Sequence, residues 1–278
     1  MGQKVAAQGH FKMGQDSVEQ AVVQVISQVV KFDWLEPYAT TEQYEVRGSG
    51  FFIDARGFII TSAHVVDQAR AIWVQMPAFD QKYFPVEIVG FCPERDLALL
   101  ALNNEDKAFI EAVIGQISFV PLGDSDLCKR TDPVLVFGYP LGQYRVKSSM
   151  GVISGWESEV GRSLIQITAP INPGNSGGPL VNDCGQAIGI AVSAVFPSQN
   201  VGCAVPINEL KLILENLYAK GLVRFANLGL VFSFGSGALA SSWGNPQPAG
   251  LYICKVAERS LLFNGSLIHK AQGSDRLF

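Results

Sequence analysis

Residues 171–180 read INPGNSGGPL, with three glycines, two prolines and a single serine, Ser176, between them. A run of this kind cannot hold a helix, and the prolines and glycines make it a poor strand. It is a turn, and the question is whether the turn presents Ser176 for chemistry. A serine hydroxyl is a weak nucleophile at neutral pH. It needs an adjacent base, and that base must itself be oriented by a third group.

The chain offers three histidines as bases. His10 lies in an N-terminal tail and His269 in the terminal segment. That leaves His64, in TSAHVV, directly after an apolar strand where a loop would present it. A lone histidine at a strand end also reads as structural. For the third group, Asp96 in PERDLALLAL stands at the entrance of a strand that is apolar throughout, as a cap or as the partner of a specific group. Asp54, Asp67 and Asp80 lie in turns or polar loops and are weaker choices.

The surrounding pattern is that of an all-β protein. Short apolar runs (GSGFFI, FIIT, AIWVQM, FPVEIVGF, LALLAL, PVLVFGY, GVISGW, SLIQITAP, QAIGIAVSAV, NVGCAVPI) alternate with turn signals, as in a barrel or sandwich. DARG, residues 54–57, is a hairpin turn between two of them. Residues 18–30 fit a short helical turn followed by a strand. A helix is predicted over 207–220, with Leu210, Ile213, Leu214 and Leu217 on one face and Gly221 as its stop. Beyond residue 224 the composition shifts to Gly and Ser, which places a boundary near 225.

Hydrophobic residues make up 48% of the 278, enough for a substantial core. The net charge of −4 and the absence of a Lys/Arg cluster argue against a nucleic-acid partner. No apolar stretch reaches the ~18–20 residues of a membrane span. Residues 1–15 lack the apolar centre of a secretory signal and read as a tail, either appended or left after a signal was removed. Five cysteines without CxxC spacing imply neither a zinc site nor a disulfide framework. No metal or organic cofactor is implied.

Taken together, His64, Asp96 and Ser176 stand 32 and 80 residues apart, in the order of the chymotrypsin-fold serine proteases. GSGFFI, TSAHVV, RDLALL, GYPLG, INPGNSGGPL, GIAVS and GCAVPIN resemble the HtrA/Deg family in order and spacing. The resemblance implies a trypsin-like double β-barrel with a C-terminal helix over residues 16–224. In it His64 would be the base, Asp96 its orienting acid and Ser176 the nucleophile. The backbone of Gly174, Asn175 and Ser176 would form the oxyanion hole. It places the primary pocket at Ile171, Ala191, Val192, Ser193, Gly202, Cys203 and Ala204. With no acid among these, a small or medium aliphatic side chain is expected there. Cys203, where many relatives have a larger apolar residue, either widens the pocket or is an inert core thiol.

Four departures or regional features accompany the resemblance. Asn175 stands where digestive relatives carry an aspartate that pairs with a new N-terminus, so activation is expected from ordering of loops after Pro140, around 156–163 and after Val195. Thr168 stands where relatives have an aspartate. Phe32, Trp34 and Tyr38 lie where family members trimerise, so a homo-trimer or higher oligomer is expected. Residues 226–278 resemble the beginning of a PDZ domain, incomplete in this chain, with Leu228, Gly229 and Leu230 as its carboxylate-binding loop and 250–256 as the next core strand. The family implies an ATP-independent endopeptidase for unfolded protein or peptide substrates, in a periplasmic, other extracytoplasmic or organellar compartment. The rival is a chaperone-like or regulatory peptide-binding protein on the same fold with little proteolysis.

Overall fold

The computed structural model describes residues 16–31, 42–159, 162–192, 202–225, 230–235, 242 and 250–256. A helical turn, α1 (residues 16–21), leads into six strands: β1 (Val22–Lys31), β2 (Glu42–Phe52), β3 (Phe58–Thr61), β4 (Ala69–Gln75), β5 (Tyr83–Cys92) and β6 (Leu97–Leu102). They close into a barrel in the order β1-β2-β3-β6-β5-β4. A second barrel, ordered β10-β11-β12-β9-β8-β7, is built from β7 (Pro133–Gly138), β8 (Lys147–Glu159), β9 (Arg162–Ile167), β10 (Pro179–Val181), β11 (Ala187–Val192) and β12 (Gly202–Pro206). All pairings are antiparallel, which suits the short connections.

Closure into barrels explains why LALLAL is apolar without alternation. Successive side chains point to opposite faces of a strand. Leu100 faces the interior of the first barrel with Val25, Phe52 and Ile59. Its neighbours Leu97 and Leu99 face outward, yet they join Phe51, Ile60, Phe137, Leu164 and Val205 in a core lying between the barrels. Both faces of the strand are dry. The second barrel has its own interior of Val134, Val136, Ile153, Ile165, Leu180 and Ala204.

The central core is completed by the C-terminal helix α4 (Ile207–Lys220), which the periodicity predicted; Ile207, Leu210, Ile213 and Leu217 are buried in it. The helix crosses β5 so closely that a Cβ on Gly90 would lie 2.3 Å from the Leu217 carbonyl oxygen. Among the described residues, two further α-helices lie between α1 and α4: α2 (Ala63–Val66) and α3 (Asn104–Ile114).

Three elements differ from the sequence reading. α3 was not expected; its cap is Asn103, whose side chain accepts from the Asp106 N–H at 2.7 Å. His64 lies in the one-turn helix α2, not in a loop. The stretch expected as a loop after Pro140 is one only as far as Val146, where β8 takes over, and the described residues of 156–163 are strand. Lys147 already pairs with Gly138, and β8 pairs with β9 out to Glu159 and Arg162. β8 exposes Met150 and Ser154, and also the adjacent Trp156 and Glu157 on opposite faces, which disguises its alternation.

The chain divides into two units, Met1–Arg224 and Phe225–Phe278. In the second, β13 (Leu230–Gly235) and β14 (Gly250–Val256) form an antiparallel pair. Among the described residues, no helix is long and apolar enough to cross a membrane.

Candidate active site

β3 ends at Thr61, and the chain turns at once into α2, where Ala63, Val65 and Val66 are buried. His64 takes the remaining direction and leaves 46% of its side chain exposed, against 12% for Asp96. The imidazole Nδ1 lies 2.8 and 3.0 Å from the two Asp96 carboxylate oxygens. The His64 backbone N–H also donates to Asp96 Oδ1 at 2.9 Å, and the Ala63 N–H donates to the Asp96 carbonyl at 3.1 Å. A carboxylate only accepts hydrogen bonds, so the ring presents Nδ1–H to it, the tautomer that in a neutral imidazole has its lone pair on Nε2.

Asp96 follows the 3-10 turn Pro93–Arg95 and has left-handed dihedrals (φ 56°, ψ 44°). Such a backbone costs about 1–2 kcal/mol for an L-residue. The hydrogen bond from its own N–H to the Pro93 carbonyl, at 3.2 Å, helps to hold it there. The kink lets the carboxylate face α2 while the next residue, Leu97, enters the core.

Ser176 comes from the other barrel. Asn172 to Asn175 form a β-turn closed by an Asn175 N–H bond to the Asn172 carbonyl at 3.0 Å. Pro173 at the second position and Gly174 at the third, with φ 98°, are the residues a type II turn asks for. The Pro173 carbonyl accepts from the Leu141 N–H at 2.7 Å. In a planar trans peptide the N–H points opposite the carbonyl, so the Gly174 N–H is directed away from Leu141. Among the described residues it reaches no acceptor.

Gly177 has φ 85°, and a Cβ there would lie 2.1 Å from the Ser49 carbonyl oxygen and 2.4 Å from Thr61 Oγ1. The Ser49 N–H donates to the Ser176 carbonyl at 2.8 Å. The serine turn of the second barrel is therefore pressed onto β2 and β3 of the first, beside the start of α2. Ser176 itself is buried to 2% exposure.

The pocket residues fall into three groups. Ala191 and Ala204 are paired across β11 and β12 and belong to the second barrel's interior, with Ile171 packed against it. Gly202 abuts Ile171, since a Cβ there would lie 2.9 Å from Ile171 Cγ1. Cys203, one position along, faces the opposite way into the core between the barrels, with the partly buried Val192 against the same core. Ser193 lies outside the described residues, as do Phe32, Trp34, Tyr38, Leu228 and Gly229; Leu230 is the first residue of β13. Thr168 is tied to β8, its hydroxyl accepting from the Val152 N–H at 2.9 Å and its own N–H donating to the Val152 carbonyl at 3.0 Å.

Residues with no role in the sequence reading also reach the site: Ser49 and Thr61 beneath the serine turn, and Leu141 through its N–H. Gln24 and Arg47 of the first barrel hold the segment after Leu141, donating to the carbonyls of Gln143 and Gly142 at 3.3 and 3.4 Å. A serine between two glycines at 48–50, just before the apolar FFI, was the available signal. Elsewhere, a cleft of the second barrel lined by Asp124, Cys128, Asp132 and Lys211 contains none of the candidate residues. Burial and the nearby Asp132, Asp124 and Asp126 push the Cys128 thiol up to about 11. Among the described residues, no three His, Cys, Asp or Glu side chains are grouped as metal ligands.

Residues 48–190 match the family model of the trypsin-like peptidase domain. The chain belongs to the trypsin-like peptidases, in their HtrA/Deg branch. A probable periplasmic serine endoprotease, DegP-like, from Marinomonas sp. (strain MWYL1) is 33% identical over 242 residues, 81% of this chain and 48% of its own length. The periplasmic serine endoprotease DegP of Escherichia coli (strain K12) is 30% identical over 228 residues, 79% of this chain and 46% of its own. Among solved structures, the HtrA-type protease AlgW with a decapeptide superposes with a TM-score of 0.68 at 26% identity, covering 93% of this chain and 82% of that one. AlgW with a tripeptide gives 0.69 at 27%, covering 89% and 76%. This HtrA/Deg chain spans about half the length of the curated relatives it matches. The family's double barrel is thus the architecture found here, each barrel of six strands with a helix after the second.

Proposed function

We propose that the chain is an ATP-independent serine endopeptidase that cleaves unfolded polypeptides, in protein quality control. The observation that carries this reading is the His64 Nδ1–Asp96 pair at 2.8 Å, with Ser176 on a glycine-shaped turn packed beside the same helix. Ser176 Oγ attacks the scissile carbonyl carbon, and His64 Nε2 takes the hydroxyl proton. The electron pair of the carbonyl moves to its oxygen, and the N–H groups of Gly174 and Ser176 stabilise that oxyanion. Losing one such donor costs roughly 2.7–4 kcal/mol in comparable enzymes. The imidazolium, held by Asp96, protonates the leaving amine. Water then attacks the acyl-enzyme by the same route.

The rest of the reading rests on the family and the sequence. Ile171, Gly202 and the small residues Ala191 and Ala204 suit an aliphatic side chain in the primary pocket. Residues 226–278 would be the first part of a PDZ domain following a protease domain over 16–224. A homo-trimer or higher oligomer is proposed from the family resemblance, and an extracytoplasmic location from relatives described as periplasmic.

Ser176→Ala is expected to abolish cleavage of casein and labelling by a fluorophosphonate probe, while casein binding persists. Residual cleavage by the variant would refute the nucleophile. A wild-type chain that binds casein and does not react with the probe would support the chaperone-like reading instead.

A further inference from the structure

The serine turn is held by two peptide carbonyls in succession. Pro173's is held by the Leu141 N–H. Gly174's is held by Ser49, whose Oγ lies 2.6 Å away. Ser49 Oγ is also 2.9 Å from the Tyr139 N–H, which can only donate to it. A hydroxyl has a single proton. That proton must therefore lie on the Gly174 side, giving a relay from Tyr139 N–H through Ser49 O–H to the Gly174 carbonyl. The same residue donates its N–H to the Ser176 carbonyl at 2.8 Å and accepts from Thr61 Oγ1 at 2.7 Å through its own carbonyl. It is fully buried, and the site is closed: a Cβ on Gly138 would come within 2.8 Å of its hydroxyl.

We infer that Ser49 is a positioning residue for the oxyanion hole, fixing from the first barrel the Gly174–Asn175 peptide plane and thereby restricting the dihedrals with which Gly174 aims its N–H. This rests on the serine-peptidase reading above. A type II turn and its flipped form differ by rotation of the central peptide, here Pro173–Gly174. Rotation in that direction would move the Gly174 N–H out of the hole. Leu141 holds that plane directly. Ser49 holds the next one, so Gly174 cannot change its dihedrals to accommodate a flip without leaving a buried carbonyl unpaired. The residue sits on β2, a rigid strand, rather than on either loop that forms the site. The hole is thus set by the register between the barrels.

The test uses the full chain with Ser49→Ala and Ser49→Cys, the latter keeping a weaker donor. Three quantities are measured: kcat and KM on a peptide substrate, the affinity of a peptide boronic acid that places a tetrahedral oxygen in the hole, and hydrogen exchange of the Leu141 and Asn175 amides. Ser49→Ala is expected to lower kcat about 10- to 100-fold with KM within about twofold. Boronate affinity should fall in parallel, and both amides should exchange faster. Ser49→Cys should fall between Ser49→Ala and wild type in all three, and it carries the test should Ser49→Ala fail to fold. Wild-type kcat, boronate affinity and exchange, with only a lower melting temperature, would make Ser49 a packing residue and overturn the inference. If the wild-type chain neither cleaves nor binds boronate, the peptidase reading fails on its own. The exchange rates of Leu141 and Asn175 then still decide whether Ser49 holds the turn.

Discussion

Asp96 accepts from both the backbone N–H and the Nδ1 of His64, so one carboxylate positions the helix turn and the ring it carries. Asp96→Asn keeps size and shape but puts a donor amide where an acceptor is needed. The amide turns its N–H₂ toward Nδ1 and selects the tautomer that has the proton on Nε2, where it cannot accept from serine. In a comparable triad this change lowers kcat by about four orders of magnitude. The expected result here is a similar loss in casein or peptide cleavage, with far-UV circular dichroism unchanged. Activity within tenfold of wild type would remove Asp96 from its proposed role. His64 was legible because only three histidines compete for the role, and Ser176 because glycines and prolines frame it in a turn. Ser49 was not legible as a functional residue. Its partners, Tyr139 and Gly174, lie 90 and 125 residues away, and only closure of two barrels brings them together.

At the scale of elements, the strands were readable wherever a turn residue bounded an apolar run, as at LALLAL or PVLVFG. Of β8 only GVISGW was readable; its ends, KSSM and ESE, escaped because they are mostly polar. α3 escaped because it buries only Ile110, so its sequence has no apolar face to find, although Asn103 followed by Asp106 is a capping signal. α4 was readable from its buried stripe, yet nothing in its sequence shows how its first turn is satisfied. Its N-cap is Pro206, which offers no side-chain bond, and the Asn208 N–H is taken instead by Ser125 Oγ at 3.2 Å. The contact between α4 and β5 is as specific. Gly90→Ala would drive a methyl group into the Leu217 backbone, which a rotamer change cannot relieve. The variant is expected to lose about 1–3 kcal/mol in urea unfolding, the usual cost of overpacking a filled core. A midpoint equal to wild type would mean that α4 is not seated at Gly90 in solution.

Across the molecule, the central core makes the two barrels one thermodynamic body. Phe51, Ile60 and Leu97 from the first barrel share it with Phe137, Leu164 and Val205 from the second, and Leu210, Ile213 and Leu217 of α4 lie against both. The candidate site depends on that union, since His64 and Asp96 come from one barrel and Ser176 from the other. Neither barrel can expose its share of this core without losing the other's contacts, so both should unfold together. Trp73 lies on β4 and Trp156 on β8, which gives each barrel its own fluorescent reporter. With Trp34→Phe and Trp243→Phe in place, and either Trp73→Phe or Trp156→Phe added, the two single-tryptophan-barrel proteins should give coincident urea transitions. Leu217→Ala should then shift both midpoints equally, by about 2–5 kcal/mol in unfolding free energy. Two separated transitions, or a shift confined to the Trp73 reporter, would show that the barrels are stable independently and that the site is assembled by a contact weaker than the core implies.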